Sequence, residues 1–436
     1  MKVRDLKTYR QLIYNGAENE NTAIGSADGL LRALDGLNAR LPPRIDYIQR
    51  LAQTPEEQIF YELLQNAHDA HSDRFHAQFD DEGILFINTG DVFTTEQPEM
   101  NENEELLAGE LIGLLQNNRS PKYGNNEAIG RFGIGFKLIY NLLGGDAQRK
   151  ILNDLQGPII FSWSKLSHLE VFLRENGNNF EVQPRYVGTE LPLLTKIVRT
   201  YYPANMGEKR QVLNKQEKSE IFSYRELMKF SEAFKRFYEG EAISEYAEGT
   251  AVYMPISNDV FEKLNEVVAG NLKENLQISM NLVPSIKHIS IKGERINKEE
   301  ATVIKLGNEN RISQDAVLFL NHKPTTNFFN FFPAFNEYYG FNFVIHSYAF
   351  ELPPDRQKID WGRTENEEVL NRIADNLVEE LSELITNDFE GYVKIFKSII
   401  DREETDNFTN STEVSGFYNK VIGFLKENVP TDKNTV

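Results

Sequence analysis

Glu62, Asn66 and Asp69 stand at i, i+4 and i+7 of the stretch ELLQNAHDAH. Leu, Ala, Glu and Gln dominate there and Gly and Pro are absent, so the stretch reads as helix. On a helix the three polar residues share one stripe, with Leu63, Leu64, Ala67 and Ala70 as the apolar face beside it. A carboxylate, an amide and a second carboxylate on one stripe raise the question of what they hold. Further on, IGRFGIGFK places Gly130, Gly133 and Gly135 before an apolar, helix-like run, FKLIYNLLG. Glycines let backbone N–H groups approach an anion closely, and the start of a following helix adds a favourable dipole. That is phosphate-binding chemistry.

The loop is not a Walker motif. The spacing from Gly130 fits, but Phe136 stands where the Lys belongs and Lys137 where Ser or Thr should follow. Nor is it G-x-G-x-x-G, because the spacing runs in reverse order. Taken alone, three glycines also make a tight structural turn. His68, His71 and His76 with Asp69 and Asp73 form a second candidate cluster, since His68 and His71 are three apart on the same helix, a zinc-like spacing. The alternative for these histidines is a solvent-facing or supporting place. His346, in an apolar strand, reads as a satisfied core histidine.

The elements that must position these residues follow from pattern. TPEEQIFYELLQNAHDAHSD is a helix with Thr54 as N-cap and Pro55 in its first turn. A hairpin follows, HAQFD and ILFINTG about a turn at Asp81–Gly83. GPIIFSW, HLEVFLR, NFEVQPRYV and Gly249–Ile256 read as strands, with charged, mostly helical sequence at 204–245. Composition shifts near Ser257. A helix NDVFEKLNEVVAGNLKENL, strands SIKHISIKG, AVLFLNH and FNFVIHSYAFEL, and long helices from Glu365 come next. The aromatics from Phe328 to Phe343 read as core rather than as a base-stacking platform.

The chain has 436 residues, 40% of them hydrophobic, enough for two or three domains with sizeable cores. It has no cysteine, which excludes disulfides and thiolate metal sites. No apolar run reaches membrane-span length, and the residues after Met1 are not a signal-peptide core. A cytoplasmic protein is expected. A formal net charge of −19 argues against general nucleic-acid binding, which draws on Lys and Arg.

The order of the motifs resembles the GHKL ATPase superfamily: polar-faced helix, strand ending in Asn88-Thr89-Gly90, long polar segment, glycine loop, then a strand opening with Gly249-Thr250. ELLQNAHDA and IGRFGIGFK are most similar to its heat-shock-chaperone (ninety-kilodalton) and sacsin-like branch. The resemblance covers much of residues 55–140 and again about 325–365. It implies an α+β chain: a Bergerat-type α/β sandwich over 1–256, a mixed sheet with helices on one face and a lid at about 94–129. An α+β middle domain over 257–364 and C-terminal helices over 365–436 follow. It implies ATP and Mg²⁺ as cofactors, slow hydrolysis coupled to lid closure, self-association as a dimer and a protein partner or client. The work could be chaperone-like or that of a module in a bacterial defence or DNA-processing system. The alternative is a nucleotide-binding switch without hydrolysis.

Residue by residue, the resemblance makes Glu62 the general base for water and Asn66 the magnesium ligand. Asp69 and Ala70 shape the nucleotide pocket. Asn88 stands where the superfamily has an Asp that accepts the adenine amino group. An amide accepts more weakly than a carboxylate. Gly90 matches the first glycine of that motif and Val92 replaces the second. Gly130, Gly133, Ile134, Gly135 and Phe136 form the phosphate loop, and Thr250 backs the adenine pocket. Ser120 and Lys122, in the lid region, are phosphate contacts. FFNFFPAFNEYYGFNFVIHSYAFELPPDRQKID resembles the sacsin-type segment whose Arg reaches the γ-phosphate, which makes Arg356 an in-chain arginine finger. The alternative pairs Arg356 with Asp355 or Asp360.

Overall fold

The computed structural model describes residues 56–92, 135–145, 150, 157–163, 193–196, 232–234, 248–298, 302–306, 316–320, 325–352 and 358–430. The chain is α+β and divides into two compact units. One is Met1–Gly270 with Val283–Asn297, the other Asn271–Leu282 with Lys298–Val436.

In the first unit, helix α1 (Gln58–Asp69) leads into the hairpin β1 (Arg74–Phe79) and β2 (Gly83–Thr89). Asp80 closes the turn, its Oδ1 accepting from the backbone N–H groups of Glu82 at 3.0 Å and Gly83 at 3.1 Å. Then come β3 (Ile159–Trp163), β4 (Leu193–Lys196), β5 (Gly249–Pro255), α2 (Asn258–Ala269), β6 (His288–Ile291) and β7 (Glu294–Ile296). The strands form one sheet in the order β4-β3-β5-β2-β1-β6-β7. It is mixed, because β6 joins β1 in parallel while the other neighbours run antiparallel.

Register and the two-residue alternation of a strand assign the faces. Phe86 and Asn88 of β2, Val252 and Thr250 of β5, and Ile160 and Ser162 of β3 lie side by side on one face. Helix α1 packs there: the Phe60 ring meets the Phe86 ring edge-on, centroids 5.4 Å apart. Leu64 and Ala67, one and two turns beyond Phe60, are fully enclosed. Across the sheet, Phe161 and Trp163 pack edge-on against Phe234.

The second unit holds α3 (Leu272–Leu282), β8 (Thr302–Leu306), β9 (Ala316–Leu320), β10 (Phe328–Asn330), β11 (Phe332–Pro333) and β12 (Phe343–His346). Helices α4 (Thr364–Asn387), α5 (Phe389–Ile400), α6 (Asp406–Asn410) and α7 (Thr412–Glu427) follow. Its sheet runs β11-β10-β12-β9-β8, with β10 and β12 parallel. On one face Ile278 of α3 packs on Val317, Phe319, Phe329 and Val344. On the other, Leu318, Phe343 and Ile345 meet Leu370, Ile373 and Leu377 of α4 together with residues of α5 and α7. The C-terminal helices therefore complete this unit rather than form a third. The apolar stripe of α4 at helical spacing covers this sheet. The aromatics of 328–343 are core, with Phe328, Phe329, Phe341 and Phe343 all fully buried.

Several sequence expectations shift. The border expected at 256/257 falls inside the first unit, because β6 pairs with β1 and carries the β6–β7 hairpin with it. The helix expected over NDVFEKLNEVVAGNLKENL is two helices separated at Gly270, whose backbone freedom makes continuing a helix through it costly. FKLIYNLLG forms a 3₁₀ segment, Gly135–Leu143, rather than an α-helix. The strand read over FNFVIHSYAFEL is limited to Phe343–His346. Thr54, Pro55, HLEVFLR and NFEVQPRYV lie outside the described residues. Among the described residues no helix is long and apolar enough to cross a membrane.

Candidate functional site

The polar stripe of α1 is buried. Gln58 is 1% exposed, Glu62 5% and Gln65 2%, while Asn66 and Asp69 are half-buried. At 100° per residue, Gln58, Glu62, Gln65 and Asp69 fall within about 60° of one another, with Asn66 at the edge of that arc. Phe60, Leu64 and Ala67 occupy the opposite side. An amphipathic surface helix turns its polar face to water; this one withdraws it. Two members of the stripe, Gln58 and Gln65, are absent from the expected site, although their spacing of i, i+4, i+7 and i+11 with Glu62 and Asp69 was visible in the sequence. The side-chain carbonyl oxygens of Gln58 and Gln65 are enclosed with no hydrogen-bond partner. At the head of the helix, burial and then the neighbouring Glu56 push the Glu57 carboxyl up to about 7. Glu56 itself pairs with Lys263 at 2.7 Å.

Beside the helix, a polar row crosses the sheet. Asn88 of β2, Thr250 of β5 and Ser162 of β3 are successive register partners. They lie on the face that carries α1, and Asn88 is two residues along β2 from Phe86. Thr250 and Ser162 are 6% and 3% exposed. Their hydroxyls lie 3.2 Å apart, and Ser162 Oγ also donates to the Gly249 carbonyl at 3.2 Å. The Asn88 Nδ2 donates to the Thr89 carbonyl at 2.9 Å. A carbonyl only accepts, so the amide is turned with Oδ1 away from Thr89. Two expected residues, Asn88 and Thr250, are thus direct neighbours. Ser162 joins them only through β3–β5 pairing, which no local pattern signals.

Ala70 and Gly90 also meet. Gly90 follows β2 with φ of +106°, and its backbone lies against the Ala70 carbonyl that ends α1. The same carbonyl accepts from Asp91 N at 2.7 Å. Around this joint Ser72 Oγ donates to the Arg74 carbonyl at 2.6 Å, and Thr89 Oγ1 donates to Asp73 Oδ1 at 2.5 Å. The histidines do not converge. His68 Nδ1 bonds Ser285 Oγ at 2.6 Å, His71 Nδ1 bonds Asp91 Oδ2 at 2.7 Å, and His76 Nδ1 bonds Ser290 Oγ. Among the described residues no group of three or more His, Asp or Glu is arranged to hold a metal ion. His346 is core. Its Nδ1 accepts from Phe331 N at 3.2 Å, and burial lowers its pKa to about 3.

Of the glycine loop, Gly135 and Phe136 begin the 3₁₀ segment, which packs against α1 and β5. Phe136 is half-buried. Gly130, Gly133, Ile134, Ser120, Lys122, Arg356 and the lid expected at 94–129 lie outside the described residues. The residues flanking the segment that carries Arg356 are tied by two buried side chains. Asn366 Oδ1 accepts from Glu351 N at 2.7 Å, and its Nδ2 donates to the carbonyls of Glu351 and Asp360, each at 3.0 Å. Glu337 accepts from Ile359 N at 2.9 Å, from Trp361 Nε1 at 3.0 Å and from the Tyr339 hydroxyl. Burial raises the Glu337 pKa, and these three donors pull it back. Asp360, one alternative partner for Arg356, accepts from Gly362 N and faces Arg363 at 3.5 Å.

No known protein family matches the sequence, and no curated protein does. Among solved structures, the chain is similar to the ATPase region of Saccharomyces cerevisiae topoisomerase II. That likeness covers 85% of this chain and 84% of that one at 13% identity, with a TM-score of 0.32. The same region bound to ICRF-187 (dexrazoxane) is matched over 77% and 85% at 14% identity, also with a TM-score of 0.32. Likeness at this level carries no assignment.

Proposed function

We propose that the first unit binds ATP with Mg²⁺ and hydrolyses it slowly. The observation that carries this reading is the buried polar stripe of α1, with Glu62 enclosed at 5% exposure, on a helix whose apolar side packs on the sheet face that carries the Asn88–Thr250–Ser162 row. The row suits an amino-bearing base and the stripe a triphosphate. Asn88 presents its amide oxygen as an acceptor, and Thr250 and Ser162 offer hydroxyls beside it.

Phosphoryl transfer asks for neutralised charge and an oriented nucleophile. The stripe is made of oxygen donors, two of them unpaired amide oxygens, which is a donor set for a hard cation. Asn66 would hold Mg²⁺, which supplies charge neutralisation on the phosphate oxygens when bound. Glu62 takes the proton of the attacking water. Asp69 and Ala70, at the end of α1 beside Gly90, would shape the nucleotide pocket. Gly130, Gly133, Ile134, Gly135 and Phe136 supply backbone N–H groups to the phosphates, with Ser120 and Lys122 as further contacts. By its resemblance to the sacsin-type segment, Arg356 would have the role of an arginine finger. Turnover is coupled to closure of the segment at 94–129 and to self-association, and drives work on a protein partner, chaperone-like or in a defence or DNA-processing assembly.

The test is nucleotide binding and hydrolysis with ATP and GTP, with and without Mg²⁺, for the wild type and Glu62→Ala. Mg²⁺-dependent ATP turnover that Glu62→Ala abolishes while binding persists supports the reading. Binding without wild-type turnover leaves a nucleotide switch, and turnover unaffected by Glu62→Ala removes the base from Glu62.

A further inference from the structure

Gln58 and Gln65 lie in the polar stripe of α1 with no step of the proposed hydrolysis assigned to either, and Gln65 is the one beside both Glu62 and Asn66 in the chain. It is 2% exposed, and its carbonyl oxygen is enclosed without a hydrogen-bond donor. A buried acceptor left unpaired destabilises the fold, and such groups are kept where they serve a ligand or a reaction. Its place on the helix says which. Gln65 is three residues after Glu62 and on the same arc, so the two side chains are surface neighbours, with Cβ atoms about 5–6 Å apart. Side chains rooted that close can turn a carboxylate oxygen and an amide oxygen toward the same water molecule.

We propose that Gln65 is a further catalytic residue, whose amide oxygen accepts one hydrogen of the attacking water while Glu62 accepts the other. This rests on the ATPase reading. A water held by one acceptor still rotates about that bond. Held by two, both hydrogens are committed and an oxygen lone pair is fixed outward, toward the phosphorus. In the step itself the water oxygen bonds the γ-phosphorus and the bond from that phosphorus to the β–γ bridging oxygen breaks. One water proton passes to Glu62 and then to solvent, and the products are ADP and inorganic phosphate. Gln65 takes no proton: an amide oxygen is too weak a base, so its part is orientation. Gln58, the other unpaired amide, lies one turn before Glu62 and on the side away from Asn66, further from the proposed metal ligand.

The experiment compares full-length wild type, Gln65→Leu and Gln65→Met by three measurements: kcat for ATP, Kd for a non-hydrolysable ATP analogue with Mg²⁺, and Tm. The expected result is a kcat lower by about 10²-fold, a Kd within about 3-fold of wild type, and a Tm unchanged or raised because an unpaired acceptor has gone. Met follows the shape of Gln and keeps the test open should Leu misfold. A kcat within about 3-fold of wild type in a folded variant overturns the proposal. So does a Kd that weakens in step with kcat, or a Tm that falls in both variants, since either makes Gln65 a ground-state or packing contact. Loss of turnover in Gln58→Leu with retention in Gln65→Leu overturns the choice of residue. A wild type that binds no nucleotide defeats the ATPase reading and this proposal with it. A wild type that turns over ATP regardless of residue 65 defeats this proposal alone.

Discussion

Gly90 lies so close to the end of α1 that a Cβ on it would stand 2.2 Å from the Ala70 carbonyl oxygen. Its φ of +106° is also one that side-chain-bearing residues rarely adopt. The Ala70 carbonyl cannot retreat, because it accepts from Asp91 N. Gly90→Ala is therefore expected to cost more than about 2 kcal/mol in urea denaturation. An effect below about 0.5 kcal/mol would mean that the joint between α1 and β2 is loose.

Thr250 and Ser162 share a buried hydroxyl contact on the face that carries α1. Thr250→Val keeps the shape and removes the hydroxyl, while Ser162 keeps its bond to the Gly249 carbonyl. Under the proposed function, ATP affinity drops by about 10-fold, the worth of roughly one hydrogen bond, with little change in Tm. Titration calorimetry reads both the affinity and, through an unchanged stoichiometry, the integrity of the site.

Glu57 gives the fold a pH dependence. Its carboxyl is protonated up to about 7 in the native state against 4.5 for the free side chain. Between those values the native state binds more protons than the unfolded chain, so this group's stabilisation is complete below 4.5 and is lost as pH rises toward 7. Glu57→Gln cannot lose it. The variant is expected to gain on the wild type between pH 5 and pH 8, reaching roughly 1–2 kcal/mol, discounted because Glu57 is half-buried rather than enclosed. A Tm difference that stays flat across that range would contradict the assignment.

Asn366 spends its whole amide on the two chain segments either side of residues 353–357. Asn366→Leu removes three hydrogen bonds at a fully buried position and is expected to cost roughly 3 kcal/mol. Asn366→Asp keeps the acceptor for Glu351 N but sets carboxylate oxygens against two carbonyls, so it should be no better. Hydrogen exchange at Glu351 N, protected in the wild type and fast in Asn366→Leu, would locate the damage.

Much of this molecule was legible in local pattern. The α1 helix, the β1–β2 hairpin about Asp81–Gly83, β5 and the long amphipathic α4 appear where periodicity and turn residues put them. Each is specified by residues a few positions apart, within reach of a single helical turn or a single hairpin. The shared stripe of Glu62, Asn66 and Asp69 is legible for the same reason.

What no local pattern carries is which distant segments meet. The β6 strand extends the sheet by pairing His288–Ile291 with Arg74–Ala77, and this moves the domain border. Ser162 reaches Thr250 and Asn88 only because β3, β5 and β2 are neighbours. Gly90 stops against Ala70 because the hairpin folds back on its helix. The sequence by itself determined which residue types share a helical face or a strand face, since that depends on backbone geometry over a few bonds. Only the tertiary structure decided that the polar face of α1 is buried rather than wet, leaving Gln58 and Gln65 enclosed and unpaired. Burial is a property of what packs over a surface, and no local periodicity encodes its cover.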